Sequence, residues 1–266
     1  MVDLGLRGRA AIITGGSRGI GRATAIALAE EGCDVMVCGR DTAALAEVER
    51  TIGAIDRAGR CVPVEVDSDA EAAAVAIVDE CVNVFGRIDI LINNAGGTSS
   101  SRLSELSAGD WQAAFDRNFF SAARLAVAAA NAMRRDGWGR LVHISSIDGI
   151  EADRHFAAYS AAKAAMLNMS KSLSQEYARD GVLSNCVVPG ITLTESVHEN
   201  AVAAAERLGT TVDEVMERML TKQGVAVGRF AQPEEIAAAI VFLASEKAAW
   251  ITGATLAVDG GTLRSI

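Results

Sequence analysis

The pentapeptide YSAAK, residues 159–163, sets a phenol and an ammonium four positions apart. Residues i and i+4 share a helix face, so Tyr159 and Lys163 can act on one reacting group. A free phenol titrates near 10 and is a poor acid–base group at pH 7. A close positive charge favours the phenolate, and lowering the phenol by about 3 units takes about 4 kcal/mol of differential stabilisation. Two positive charges in a dry cleft can supply it. With two tyrosines and four lysines in the chain, this pair arises by chance about 3 times in 100, so the rest of the sequence must decide.

The elements that position the pair alternate strand and helix. Ala10–Thr14, Asp34–Cys38, Val62–Val66, Ile88–Ile92, Arg140–Ser145, Ser184–Val188 and Thr255–Val258 are short apolar runs and read as seven strands. Helical spacing occupies about 18–31, 43–58 and 70–85. A long helix begins at Ser107, whose spacing to Asp110 is that of a capping box, and runs to about Arg135. A second long helix carries Tyr159, Met166, Leu173 and Tyr177 on one stripe, and Pro233 opens another with acidic residues in its first turn. Strands alternating with helices imply an α/β fold, a parallel sheet with right-handed crossovers. Such a sheet binds ligands at the carboxyl ends of its strands.

Composition narrows the partners. Half of the 266 residues are apolar and only 5% are aromatic, which suits parallel strands covered on both faces. The net charge of −9 argues against nucleic acid or an anionic membrane surface. No apolar run reaches the length of a membrane span, and the first residues do not read as a signal peptide. The five cysteines are scattered, without a CxxC, and read as free thiols in a reducing cytosol. The three histidines lack metal-ligand spacing, so no metal site is expected.

Directly after the first strand comes TGGSRGIG, Thr14–Gly21. Glycines at 15, 19 and 21 permit a tight turn and a close approach of backbone to phosphate, and the free N–H groups of the next helix can hold the anion. The spacing G-x-x-x-G-x-G differs from the common G-x-G-x-x-G.

TGGSRGIG, NNAG at 93–96, a serine upstream of YSAAK, PGITLT at 189–194 and the tail QPEEIAAAIVFLASEKAAWITGATLAVDGG follow in an order that resembles the short-chain dehydrogenase/reductase family. The likeness covers nearly the whole chain and is similar to the 3-oxoacyl-ACP-reductase branch. It implies a single Rossmann-type, doubly wound domain over residues 1–266, with NAD(P)-dependent oxidoreduction between a ketone and an alcohol. In the glycine turn it implies cofactor contacts from Gly15, Ser17, Arg18, Gly19, Ile20 and Gly21. An NAD site usually ends its second strand in Asp or Glu. Here that position is Gly39, followed by Arg40. Arg18 and Arg40 suit a 2′-phosphate, so NADP(H) is expected over NAD(H). The adenine partner is expected at Asp67, with Glu65 and Asp69 as alternatives.

The resemblance makes Tyr159 the proton donor to the ketone oxygen, or the acceptor in reverse. It makes Lys163 the group that lowers the phenol and holds the nicotinamide ribose. Of Ser145 and Ser146, the family's thirteen-residue spacing selects Ser146 to bind the substrate oxygen. Asn118, in DRNFF, matches the helix asparagine that orders a water toward the lysine. Asn93, Asn94, Ala95 and Gly96 form the turn near the cofactor, and Pro189, Gly190, Thr192 and Thr194 meet its nicotinamide end. Thr192 departs from the more usual Ile or Val, at a contact made through backbone.

Residues from about 194 to 228 hold two short helices. The second opens with Thr211 and Glu214 at capping-box spacing and carries Val212, Val215, Met216, Met219 and Leu220 on one stripe. In the family this segment covers the substrate. The stripe is either the inner face of a mobile lid or ordinary packing. Asp148, His155 and Phe156 lie between Ser146 and Tyr159 and can line the pocket; Asp148 either binds a polar substrate group or faces water. The partners expected are a small ketone or alcohol and further copies of the chain in a homotetramer. Its interfaces would be the two long helices and the C-terminal segment. The alternative from another class is a non-catalytic NADP-binding sensor or scaffold.

Overall fold

The computed structural model describes residues 3–70, 72–98 and 101–265. Seven strands form one all-parallel sheet: β1 Ala10–Thr14, β2 Asp34–Gly39, β3 Cys61–Glu65, β4 Ile90–Asn93, β5 Gly139–Ile144, β6 Val182–Pro189 and β7 Thr255–Val258. The order across the sheet is β3-β2-β1-β4-β5-β6-β7. The winding reverses between β1 and β4, which pair with Ile12 opposite Leu91. That reversal opens a crevice at the carboxyl ends of the two strands.

Alternation along the strands builds a core on each face. Ala11, Ile13, Val35, Val37, Ile90, Ile92 and Val142 point to one side, where they meet α1 (Gly19–Glu30), α2 (Thr42–Gly53) and α9 (Pro233–Ala244). Ala10, Ile12, Met36, Leu91 and Leu141 point to the other. There they meet α3 (Ala73–Phe85), α5 (Ser121–Met133) and α6 (Ala157–Tyr177). Burying both faces explains why the strands read as unbroken apolar runs. The second helix ends at Gly53, five residues short of the expected Ala58, and the following turn puts Arg57 at a φ of 62°.

The long helix expected from Ser107 to Arg135 is not continuous. α4 (Ala108–Phe115) passes through a π turn, Asp116–Phe120, before α5. The Asn118 Nδ2 donates to the Ala114 carbonyl at 3.0 Å, taking an acceptor of the helical ladder. The Ser121 N–H instead reaches back five residues to Asp116. Such single-turn widenings gather at functional sites.

α7 (Glu195–Leu208), whose first residues line the crevice, and α8 (Val212–Gln223) share a small core of their own. Val215 is buried against Ala201 and Ala205, with Val212, Met216 and Met219 packed beside it. Packing of α8 on α7 is therefore what this stripe does. Among the described residues no helix is long and apolar enough to cross a membrane.

Asp89 fastens β1 to β4 at the end of the sheet opposite the crevice. It is fully buried. Its carboxylate accepts from the Ala10 N–H at 2.8 Å, from Arg9 at 3.1 Å and from Arg87 at 2.7 and 2.6 Å. Removing it leaves the β1 N–H and the Arg87 guanidinium without their acceptor, and leaves Arg9 with Glu246 alone. Asp89→Ala is expected to lower unfolding free energy by about 3 kcal/mol. Urea unfolding checks this, and an unchanged midpoint would contradict it.

Candidate active site

The crevice is a cleft of about 450 Å³. Its floor is the glycine turn, and its walls include Arg40, Asp67, Asn94, Ala95, Gly96 and Thr194. The N-cap residue Arg18 gives the first turn of α1 no side-chain cap, and the Gly19 N–H is held instead by the Glu195 carboxylate at 2.9 Å. The turn is shaped for close approach. A Cβ at Gly21 would stand 2.3 Å from the Gly15 carbonyl oxygen, and one at Gly15 would stand 2.9 Å from the Ala95 Cα. Thr14 locks the two strand ends, because its Oγ1 accepts from the Asn94 and Ala95 N–H groups at 3.0 Å each. The Asn94 amide in turn donates to the Thr14 and Gly15 carbonyls at 3.0 Å. A glycine cradle at a helix start, with two arginines beyond it, fits a dinucleotide carrying an extra phosphate.

At the end of β5 the YSAAK residues enter from the first two turns of α6. Lys163 is buried, and its ammonium donates to the Ile144 carbonyl at 2.7 Å. Burial pulls the lysine down to about 8. The Nζ lies 5.7 Å from the centre of the Tyr159 ring. The sequence leads one to expect a depressed phenol. Burial instead pushes Tyr159 up to about 12, against an opposing hydrogen bond from Ser146 and with a further push from Asp148. In this structure Tyr159 is thus a neutral phenol that keeps its proton. Ser146 precedes a short 3-10 turn, and its hydroxyl accepts from the Asp148 N–H at 3.1 Å. Ser145 faces inward and donates to the Lys163 carbonyl at 3.0 Å, a structural tie between β5 and α6.

Asn118 ties the helix to the strand-end turn. Its amide donates to the Gly97 carbonyl at 2.9 Å and its oxygen accepts from the Gly97 N–H at 3.0 Å. Gly96 fits between these groups because it lacks a side chain. A Cβ there would be 2.7 Å from the Asn118 oxygen and 3.4 Å from the Lys163 Nζ. His143, buried behind Lys163, spans Asn93 at 3.1 Å and Ser184 at 3.2 Å. Burial and the Lys163 charge hold it down to about 3, so it stays neutral.

Most of the expected residues converge. Gly15, Ser17, Arg18, Gly19, Ile20, Arg40, Asp67, Asn94, Ala95, Gly96 and Thr194 line the cleft, and Asp69 joins Asp67 there. Glu65 ends β3 and is not among the lining residues. Tyr159, Asn118, His155 and Phe156 line an adjoining cavity of about 170 Å³. Pro189, Gly190 and Thr192 lie behind the cleft wall. The Thr192 hydroxyl donates to the Gly190 carbonyl at 3.1 Å, which shapes the loop that delivers Thr194.

Sequence reading missed three charged residues in the cleft: Asp41, Arg117 and Glu195. Asp41 caps α2 and pairs with Arg18 at 3.2 Å. The Glu195 carboxylate accepts from the Gly19 N–H at 2.9 Å and pairs with Arg22 at 3.0 Å, fixing the start of α7 to the glycine turn. Only Asp41 carried a signal, as an acid immediately ahead of a helix.

The family model described as short chain dehydrogenase matches residues 9–204. The short-chain reductase protein NovJ of Streptomyces niveus is 37% identical over 254 residues, covering 94% of this chain and 92% of that protein. The 3-oxoacyl-[acyl-carrier-protein] reductase FabG of Vibrio cholerae is 35% identical, covering 97% and 98%. The crystal structure of L-sorbose reductase from Gluconobacter frateurii, complexed with NADPH and L-sorbose, superposes with a TM-score of 0.95 at 32% identity over the full length of both chains. The chain belongs to the short-chain dehydrogenase family. It is an oxidoreductase acting on the CH–OH/C=O couple, and the sensor alternative gives way.

The buried lysine has a measurable signature. Its proton is held less tightly in the folded chain, near 8, than at the ordinary 10.5. Between those values the unfolded chain binds more protons, so this group adds stability as pH rises and costs most below about 8. Lys163→Met removes that slope. Comparing unfolding free energies from pH 7 to 10.5 should show the wild type gaining on the variant across the window. Parallel curves would contradict a buried ammonium.

Proposed function

We propose that the chain reduces a ketone to a secondary alcohol, or runs the reverse reaction, with NADP(H) as the redox partner. The observation that carries this is the grouping of Ser146, Tyr159 and Lys163 at the end of β5, beside a cleft headed by the glycine turn. NADPH, when bound, supplies the hydride. Tyr159 donates its proton to the ketone oxygen, and Ser146 holds that oxygen by a hydrogen bond. The glycine turn binds the pyrophosphate, and Lys163 holds the nicotinamide ribose with donors beyond the one given to Ile144. Asn118 keeps the Gly96–Gly97 turn open and orders a water toward the lysine.

The choice of NADP(H) rests on Arg18 and Arg40. Arg18 is paired with Asp41, but both side chains are 45% exposed. Such a pair is worth under about 1 kcal/mol, so a phosphate offering charge-assisted bonds displaces it. Asp41 supports a second reading, NAD(H), because a carboxylate there can bind ribose hydroxyls.

The fold is read as one domain, with residues 194–228 as its lid. The lid is fixed at its base by Glu195 and, at the end of α8, by a 3.0 Å bond from Lys222 to Asp153. A homotetramer is supported by exposed apolar residues where the family likeness puts interfaces: Phe120 and Val127 on the long helix, and Phe242, Trp250 and Leu256 around β7.

NADPH oxidation against a ketone panel that includes an acetoacetyl thioester tests the reading. Tyr159→Phe should lower kcat by about 100- to 10,000-fold while NADPH binding persists. Wild type should prefer NADPH to NADH, and Arg40→Ala should narrow that preference about tenfold. Full turnover in Tyr159→Phe would overturn the assignment, and a preference for NADH would favour the Asp41 reading.

A further inference from the structure

The Asp148 carboxylate has no part in the chemistry above, yet it sits two residues beyond Ser146. One of its oxygens lies 3.4 Å from the Ser146 hydroxyl. It is half-buried, and among the described residues no lysine or arginine pairs with it. The nearby cation, Lys222, is committed to Asp153. The local turn does not need the carboxylate either, because the bond to Ser146 that closes it comes from the Asp148 backbone N–H. We infer that Asp148 reads a hydrogen-bond donor on the substrate: the preferred ketone is neutral or cationic and carries a hydroxyl or amino group one or two atoms from its carbonyl.

This rests on the reading that Ser146 and Tyr159 hold the carbonyl oxygen. With that oxygen at Ser146, a group one or two atoms away falls within reach of a carboxylate oxygen 3.4 Å from the same hydroxyl. An ionised carboxylate only accepts hydrogen bonds. A hydroxyl or ammonium satisfies it, whereas an apolar chain strips its water and returns nothing. Sites built around a polar contact reject the analogue lacking it far more strongly than apolar pockets reject an extra group. Burial pushes the Asp148 carboxyl up and Asp153 adds to the rise, against a long hydrogen bond donated by the Ser146 hydroxyl and the nearby Lys222 charge. Glu151 and Asp153 follow on the same loop. Glu151 is held by Arg264 and Ser265, and Asp153 by Lys222, so the charge offered to a substrate here is that of Asp148.

The test compares kcat/KM with NADPH for hydroxyacetone, aminoacetone and their apolar counterpart butanone, in wild type, Asp148→Asn and Asp148→Val. Wild type should favour hydroxyacetone over butanone by about 100-fold or more. Asp148→Val should shrink that ratio at least about tenfold, partly by gaining activity on butanone. Asp148→Asn keeps the shape and an acceptor, so it should retain part of the hydroxyacetone preference and lose that for aminoacetone. Fluorescence titration with NADPH confirms that each variant is folded. An equal ratio in wild type and Asp148→Val, with NADPH bound and turnover intact, overturns the role of Asp148 and leaves the reductase reading standing. No wild-type turnover of any of the three, while the acetoacetyl thioester is reduced, overturns this inference alone; undiminished turnover in Tyr159→Phe overturns the reductase reading and this inference with it.

Discussion

A buried ammonium is the constraint on which this site depends. Lys163 has three donors and one protein acceptor, the Ile144 carbonyl at the end of β5. Keeping a charge there is costly, which is why burial pulls it down to about 8. The neighbours are arranged to tolerate it. His143 stays neutral behind it. Ser145 grips the lysine's own carbonyl, and Gly96 gives up a side chain so that the Asn118 amide and the ammonium can share one turn. A charge held this way is available to ligands in the cleft and to the phenol one helical turn away.

The second constraint is the reversal of strand order between β1 and β4. It brings Thr14 and Asn94, 80 residues apart in sequence, within hydrogen-bond distance. Their bonds fix the glycine turn against the strand-end loop that carries Gly96. The cofactor cleft and the lysine are therefore braced by one network. Asp89 closes the same two strands at their other end. The sheet thus aims the glycine turn and Tyr159 at one space.

Much of this was legible in the sequence, for physical reasons. Buried parallel strands must be apolar runs, so Ala10–Thr14 and Arg140–Ser145 could be read to within a residue. The glycines of TGGSRGIG had to permit close approach, and the i, i+4 spacing had to put Tyr159 and Lys163 on one face. The rest depended on partners that sequence does not pair. Glu195 meets Gly19 across 176 positions, and neither residue advertises the other. The π turn follows from one amide, Asn118, capturing the Ala114 carbonyl. The apolar stripe of α8 was visible, but that α7 covers it was not. That the phenol stands high in the chain alone was not legible, because attraction to lysine can be inferred from spacing and desolvation cannot.

That last difference defines the central claim: Tyr159 rests as a protonated phenol and becomes a base only when the oxidised nicotinamide adds its positive charge. The chain has one other tyrosine, Tyr177, so Tyr177→Phe leaves a single phenol to follow. An ultraviolet titration of this variant, alone and saturated with NADP⁺, is the most direct measurement. The phenol should ionise near 12 in the free protein and at least about 3 units lower with NADP⁺ bound, the direction set by an added close positive charge. A phenol that already ionises near neutrality without NADP⁺, or that does not move when NADP⁺ binds, would contradict it.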